Sequence, residues 1–145
     1  MGKKAETGIV EDILEWIVFS RGTGYHVHGS SMQRSGEPDV DGSVYSYDLH
    51  DFVHLKLEVK TATGKPTELQ KYRLRIYHMN GYCAGVVTSV EETKELIKDW
   101  VAWRMANPRY LSVYEGNSFA DHLRKEGKDD IYNLYGLMDT SEGDG

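Results

Sequence analysis

Three residues near the middle of the chain can do chemistry together. Asp39 follows a proline, and Glu58 and Lys60 stand two apart in a stretch of alternating apolar and polar residues. If the strands that carry them pair antiparallel, the two carboxylates and the amine meet. Hard divalent ions such as Mg2+ take carboxylate oxygens and retain waters, so Asp39 and Glu58 can bridge an ion that also holds a phosphate. Such an ion polarises the phosphoryl oxygen and lowers the pKa of a bound water, while Lys60 orients or activates that water. The constellation points to phosphodiester hydrolysis. A plainer alternative stands beside it: Glu58 and Lys60 as a surface cross-strand pattern on an edge strand, since Glu-x-Lys alone is a weak signal.

Other polar residues are less decisive. His26 and His28 share a face of a short strand, and His50 and His54 flank a turn, but their spacing matches no closed zinc site and the carboxylates suit a harder ion. His26, His28 and Arg34 are candidates for phosphate contact; a lone arginine in a polar loop is more often solvated. Lys65, Lys71, Arg73 and Arg75 are better candidates for contact with a nucleic-acid backbone, or else an ordinary basic helix face. Gln70 is the fourth residue of Thr67-Glu68-Leu69-Gln70, a capping-box pattern, so its side chain can bond back to the amide of Thr67. Cys83 reads as a small core residue, and Trp100 and Trp103 as core or interface residues.

Positioning these groups requires strands and helices that the pattern supplies. Ile9, Val10, Ile13, Leu14, Ile17 and Val18 recur at helical spacing and predict a helix from about Gly8 to Phe19. Tyr25 to His28 suggests a short strand, Gly29 to Glu37 a loop closed by Gly36-Glu37-Pro38-Asp39, and Val44 to Leu49 a second strand. Val53, Leu55, Leu57 and Val59 alternate with His54, Lys56, Glu58 and Lys60, which predicts a strand with one buried and one polar face. The capping box at Thr67 opens a helix whose Leu69, Tyr72, Ile76 and Met79 share a face. Tyr82 to Thr88 is an apolar run of strand length, and Ser89 with Glu92 forms a second capping box before a helix carrying Leu96, Ile97, Trp100 and Val101. The order α, β, β, β, α, β, α predicts an α/β fold, a mixed β-sheet flanked by helices, with a right-handed crossover between the last two strands. A folded domain over residues 1–106 is followed by an acidic extension over 107–145, with short helices at Phe119 to Lys125 and Ile131 to Leu137 and a fraying end.

Composition agrees with one soluble domain. The chain has 145 residues, 39% hydrophobic and 28% charged, and a mean hydropathy of -0.56, too apolar for wholesale disorder. No apolar run approaches a membrane span, the N-terminus is too polar for a signal peptide, and the single cysteine excludes an intrachain disulfide; a cytoplasmic protein is expected. The net charge of -6 argues at first sight against nucleic acid. Its distribution reverses that: between His54 and His78, six basic residues face only Glu58 and Glu68, whereas from Asn107 onward eight acidic residues outnumber four basic ones. A basic centre with an acidic tail results.

Gly36-Glu37-Pro38-Asp39, then Glu58-Val59-Lys60, then Gly64-Lys65-Pro66-Thr67-Glu68-Leu69-Gln70 opening a helix resembles the VRR-NUC family, the virus-type replication-repair nucleases of the PD-(D/E)XK superfamily. The resemblance covers roughly Ile9 to Lys98. It implies a PD-(D/E)XK restriction-endonuclease-like core, with Asp39 and Glu58 as metal ligands, the backbone carbonyl of Val59 as a further ligand, Lys60 as the catalytic lysine, Gln70 as an active-site support and Mg2+ or Mn2+ as cofactor. The family's first-helix glutamate corresponds to Glu11, which at about 100 degrees per residue lies closer to the apolar arc than Glu15; a solvated glutamate favoured by the helix dipole is the alternative. Small stand-alone members, often phage-encoded, resemble dimeric endonucleases acting on branched DNA such as four-way junctions. The resemblance therefore implies a homodimeric, junction-directed DNA endonuclease in the cytoplasm, that of the host if phage-encoded. The alternatives are a nuclease for nicked, flap or linear duplex DNA, or a non-catalytic DNA-binding module retaining the fold. The loop from Val40 to Val53 is expected to carry its own elaboration between the two catalytic strands, and the acidic extension from Asn107 to Gly145 has no assigned counterpart in the family.

Overall fold

The computed structural model describes residues 5–27, 35–107 and 119. Helix α1 spans Glu6–Phe19 and buries Ile9, Val10, Ile13 and Ile17, the stripe that the helical spacing required. It starts two residues before the expected Gly8, with Glu6 in the first turn where its charge suits the helix dipole. The chain then turns through Arg21, at φ +61, into strand β1, Thr23–His26. Gly22 is required at that turn because a Cβ there would lie 2.3 Å from the carbonyl oxygen of Ser43.

Strand β2 spans Val40–Ser46 and strand β3 Asp51–Val59. The expected second strand, Val44 to Leu49, is thus displaced toward the N-terminus. Gly42, a poor strand former by propensity, belongs inside β2 because it lets α1 approach: a Cβ there would meet Ile17 Cδ1 at 3.3 Å. Tyr47 to His50 instead form the turn, with His50 at φ +56. The Val40 to Val53 segment is therefore a plain hairpin without inserted elements.

Helix α2, Glu68–Met79, leads to strand β4, Cys83–Val87, every residue of which is buried. Helix α3, Val90–Ala106, completes the described order. The sheet runs β1-β2-β3-β4, with β1, β2 and β3 antiparallel and β4 parallel to β3, so α2 is the crossover. This is the mixed, helix-flanked α/β sheet that the sequence predicts.

Each face of the sheet is covered differently. Gly24 and Gly42 abut Ile17 of α1, and a Cβ on Gly85 would lie 2.9 Å from Leu96 of α3. Those two helices therefore share the apolar face of Val40, Val44, Val53, Leu55, Leu57 and Val59, all buried. Helix α2 lies over the opposite face, where the Lys56 ammonium sits 4.5 Å from the ring centre of Tyr77. Trp100 and Trp103 are core residues, as is Cys83, whose thiol pKa is raised by burial and by the charge of Asp99.

Two expectations fail on the helices. Helix α2 buries Leu74 and His78, while Leu69, Tyr72 and Ile76 of the expected inner face stay exposed. The helix is rotated by polar ties from Arg73 and Tyr77 rather than by its most apolar stripe. At α3 the Ser89 hydroxyl caps Glu92 N–H at 3.0 Å, but Glu92 reaches the amide of Thr88 at 2.8 Å, one residue earlier than a reciprocal box requires. Residues 108–145 apart from Phe119, and the candidate phosphate contacts His28 and Arg34, lie outside the described residues. Among the described residues no helix is long and apolar enough to cross a membrane.

Candidate active site

The antiparallel register brings the carboxylates together. Val40 is opposite Leu57, so the next rung places Asp39 opposite Glu58 on the face that α2 covers. Asp39 stands just before β2 and is fixed twice by backbone donors. Its carboxylate accepts from the amide of Val59 at 2.8 Å, and its carbonyl accepts from the amide of Val27 at 2.7 Å. A strand residue directs its N–H and C=O to the same side, so the Val59 carbonyl is aimed toward the Asp39 edge as well.

Glu58 is 1% exposed. One of its oxygens, Oε2, lies 3.3 Å from Lys60 Nζ, and the other, Oε1, is buried and makes no hydrogen bond among the described residues. Burial, reinforced by the negative charge of Asp39 and opposed by Lys60, pushes the Glu58 pKa up to about 8. The structure thus rejects the plainer alternative for this pair: the polar face of β3 grows steadily less exposed from His54 to Glu58, because α2 closes over its C-terminal half. A buried carboxylate with an unsatisfied oxygen costs stability unless something satisfies it.

A hard divalent ion fits these residues. Asp39 and Glu58 offer carboxylate oxygens, Glu58 Oε1 is the orphan that such an ion would satisfy, and the Val59 carbonyl faces the same edge. Glu11 does not join them: it is exposed on α1, and among the described residues no three His, Cys, Asp or Glu side chains converge to hold a metal. Glu15 is exposed too and lines, with Asp12, Trp16, Thr61 and Thr88, a groove of about 860 Å³ that begins one residue beyond Lys60.

The remaining polar candidates have other attachments. Gln70 completes the capping box, its Oε1 accepting from Thr67 N–H at 2.8 Å while Thr67 Oγ1 accepts from Gln70 N–H at 3.1 Å. Arg73 Nε donates to the carbonyl of Ser35 at 3.2 Å and lies 3.6 Å from Glu37 Oε2. Lys71 pairs with the exposed Glu68 at 3.0 Å. Lys65 is exposed, and His26 and Arg75 are half-buried. Sequence reasoning gave Glu37 no role of its own, yet the Tyr77 hydroxyl donates to its Oε1; nothing in the local pattern signals a partner 40 residues away.

No family model and no curated protein matches the chain. Solved structures do. One described as a VRR_NUC domain protein superposes with a TM-score of 0.53 at 17% identity, over 70% of this chain and 91% of that one. A second, described as a VRR_NUC domain, has a TM-score of 0.48 at 25% identity, over 64% and 94%. The first of these shows the fold: the chain is built as a VRR_NUC domain is.

Proposed function

We propose, for a chain with the fold of a VRR_NUC domain, that it is a divalent-metal-dependent DNA endonuclease that hydrolyses phosphodiester bonds, working as a homodimer on branched DNA. The observation that carries the nuclease reading is the buried Glu58, opposite Asp39, beside Lys60, with Oε1 unsatisfied. Mg2+ or Mn2+, when bound, supplies a Lewis acid and lowers the pKa of a water at neutral pH. Asp39 and Glu58 would hold it, and the Val59 carbonyl would be available beside them.

The chain's own groups do the rest. The Val59 amide fixes the Asp39 carboxylate, so that ligand needs no reorganisation when substrate arrives. Lys60 is 13% exposed along its side chain, close enough to solvent to meet an attacking water and buried enough to keep its charge effective. It orients that water toward phosphorus and offsets negative charge on the phosphoryl oxygens. Burial beside Asp39 holds the Glu58 pKa up at about 8, so Glu58 would release a proton on holding such an ion near neutral pH. The exposed Lys65 and the half-buried Lys71 stand near the start of α2, where a phosphate backbone following the site would pass. Dimerisation would pair two such sites across two strands, the geometry that a symmetric junction requires.

The test is incubation with labelled four-way junction and matched linear duplex, in Mg2+, in Mn2+ and in chelator, beside Lys60→Ala. Symmetric junction cuts that need metal and vanish in the variant are the expected result. Cleavage of linear duplex alone would keep the site and discard the junction. Tight binding without cleavage of either would favour the non-catalytic module.

A further inference from the structure

The turn that presents Asp39 has little backbone to hold it. Gly36 sits at φ +81, Pro38 has no N–H to donate, and the antiparallel pairing of β2 with β3 begins only at Val40. Asp39 itself is held by the amides of Val59 and Val27, but the residues of the turn before it depend on side chains for their place. Glu37 does the pinning. Its Oε1 accepts from the Tyr77 hydroxyl, its Oε2 lies 3.6 Å from Arg73 Nε, and Arg73 reaches the neighbouring Ser35 carbonyl at 3.2 Å.

The same tyrosine also touches the other strand of the site. Its ring lies 4.5 Å from the ammonium of Lys56, two residues before Glu58. Lys56 in turn pairs with Asp41, its cross-strand partner and two residues after Asp39. Tyr82 packs edge-on against Tyr77, with ring centres 5.2 Å apart and planes at 79°, and its own ring centre lies 5.3 Å from the same ammonium. Tyr77 is therefore immobilised by its ring and anchors the turn by its hydroxyl.

We propose that Tyr77 is a positioning residue for the carboxylate site: its hydroxyl, through Glu37, sets where Asp39 stands, and its ring, through Lys56, sets where Glu58 stands. The inference rests on the nuclease reading of that site and adds a cause for the spacing of its two ligands. An ion held by Asp39 and Glu58 would be sensitive to displacements of a fraction of an ångström in either carboxylate. One side chain that grips both strands limits those displacements, whatever the ion's own pull. It also explains why α2 turns Leu74 and His78 inward in preference to its more apolar stripe.

The test is Mn2+ binding to metal-free protein by calorimetry, with nicking kinetics measured alongside. Tyr77→Phe keeps the ring and removes only the hydroxyl. It should fold with an unchanged thermal midpoint to within a few degrees, bind Mn2+ about tenfold more weakly, as expected for one charge-assisted hydrogen bond, and lower kcat while leaving KM for DNA within twofold. Glu37→Gln retains an acceptor for the hydroxyl and should keep most of the affinity, whereas Glu37→Leu should lose it. Mn2+ affinity unchanged in both Tyr77→Phe and Glu37→Leu, against a wild type that binds, would overturn the positioning role alone. A wild type that binds no Mn2+ would instead remove the nuclease reading, and this inference with it.

Discussion

Replacing Glu58 by glutamine should make the metal-free protein more stable at neutral and alkaline pH while destroying its activity. Glu58 keeps its proton in the folded chain up to about pH 8, against an ordinary value of 4.5. Between those two values the unfolded chain has lost the proton and the folded chain retains it, so unfolding releases a proton and wild-type stability must fall as pH rises. At about 1.36 kcal/mol per pH unit, the loss from pH 5 to pH 8 reaches about 4 kcal/mol as an upper figure. Water reaching the opened site would relieve part of the charge, which sets the lower figure at about 2 kcal/mol. Glutamine has the same shape and does not titrate, so its stability should lack this slope. The assay is urea unfolding of both proteins in chelator at pH 5, 7 and 8.5. The wild type minus variant difference should change by about 2 to 4 kcal/mol across that range, in favour of the variant at high pH. Saturating Mn2+ should restore the wild type and leave the variant untouched, since only the carboxylate gains by binding. A difference that stays flat with pH would refute the burial argument for Glu58. A variant that is less stable than wild type at pH 8.5 in chelator would refute the claim that its second oxygen is unsatisfied.

Two more outcomes follow from the geometry. Asp39→Asn keeps an oxygen for the Val59 amide and so should retain the fold by circular dichroism, but Mn2+ binding by calorimetry and nicking should fall at least 100-fold, on the order of the loss of one principal electrostatic contact. Gly22→Ala would force a Cβ to within 2.3 Å of the Ser43 carbonyl oxygen, with side-chain carbons of Ile17 and Val44 at 3.1 Å; the expected cost is about 1 to 3 kcal/mol, read as a thermal midpoint lowered by several degrees.

Much of this was legible in the residues themselves. The alternation from Val53 to Lys60 placed Glu58 and Lys60 on one face, and the capping box at Thr67 fixed where α2 begins, because both signals are local. What was hidden is tertiary. Alternation assigns Glu58 to the polar face but does not say that a helix will cover that face, which is what buries it. The inner face of α2 was misassigned for a related reason: hydrophobicity favours Leu69, Tyr72 and Ile76, but the bonds from Arg73 and Tyr77 to the turn at Ser35 and Glu37 rotate the helix. Gly42 misled in the other direction, since a glycine reads as a break until the side chain that needs the space, Ile17, is in place. Glu11 looked inward on a helical wheel and is exposed in the fold, because the buried arc ends at Ile9, Val10, Ile13 and Ile17.

The bond between Tyr77 and Glu37 closes a loop of 40 residues, and Asp39 meets Val59 across 20. Contacts so far apart in sequence are costly to form early, because the chain between them must first be confined. The hairpin of β2 and β3 can form with its loop of a few residues and brings Asp39 to the Val59 amide, but the turn before Asp39 gains its ties to Arg73 and Tyr77 only when α2 has docked. During synthesis, that docking must wait until Tyr77 has left the ribosome, and β4 must follow to give α2 a floor. Competence to hold an ion would therefore arrive late and together with the completed sheet, so that nascent or partly unfolded chains lack the assembled carboxylate site.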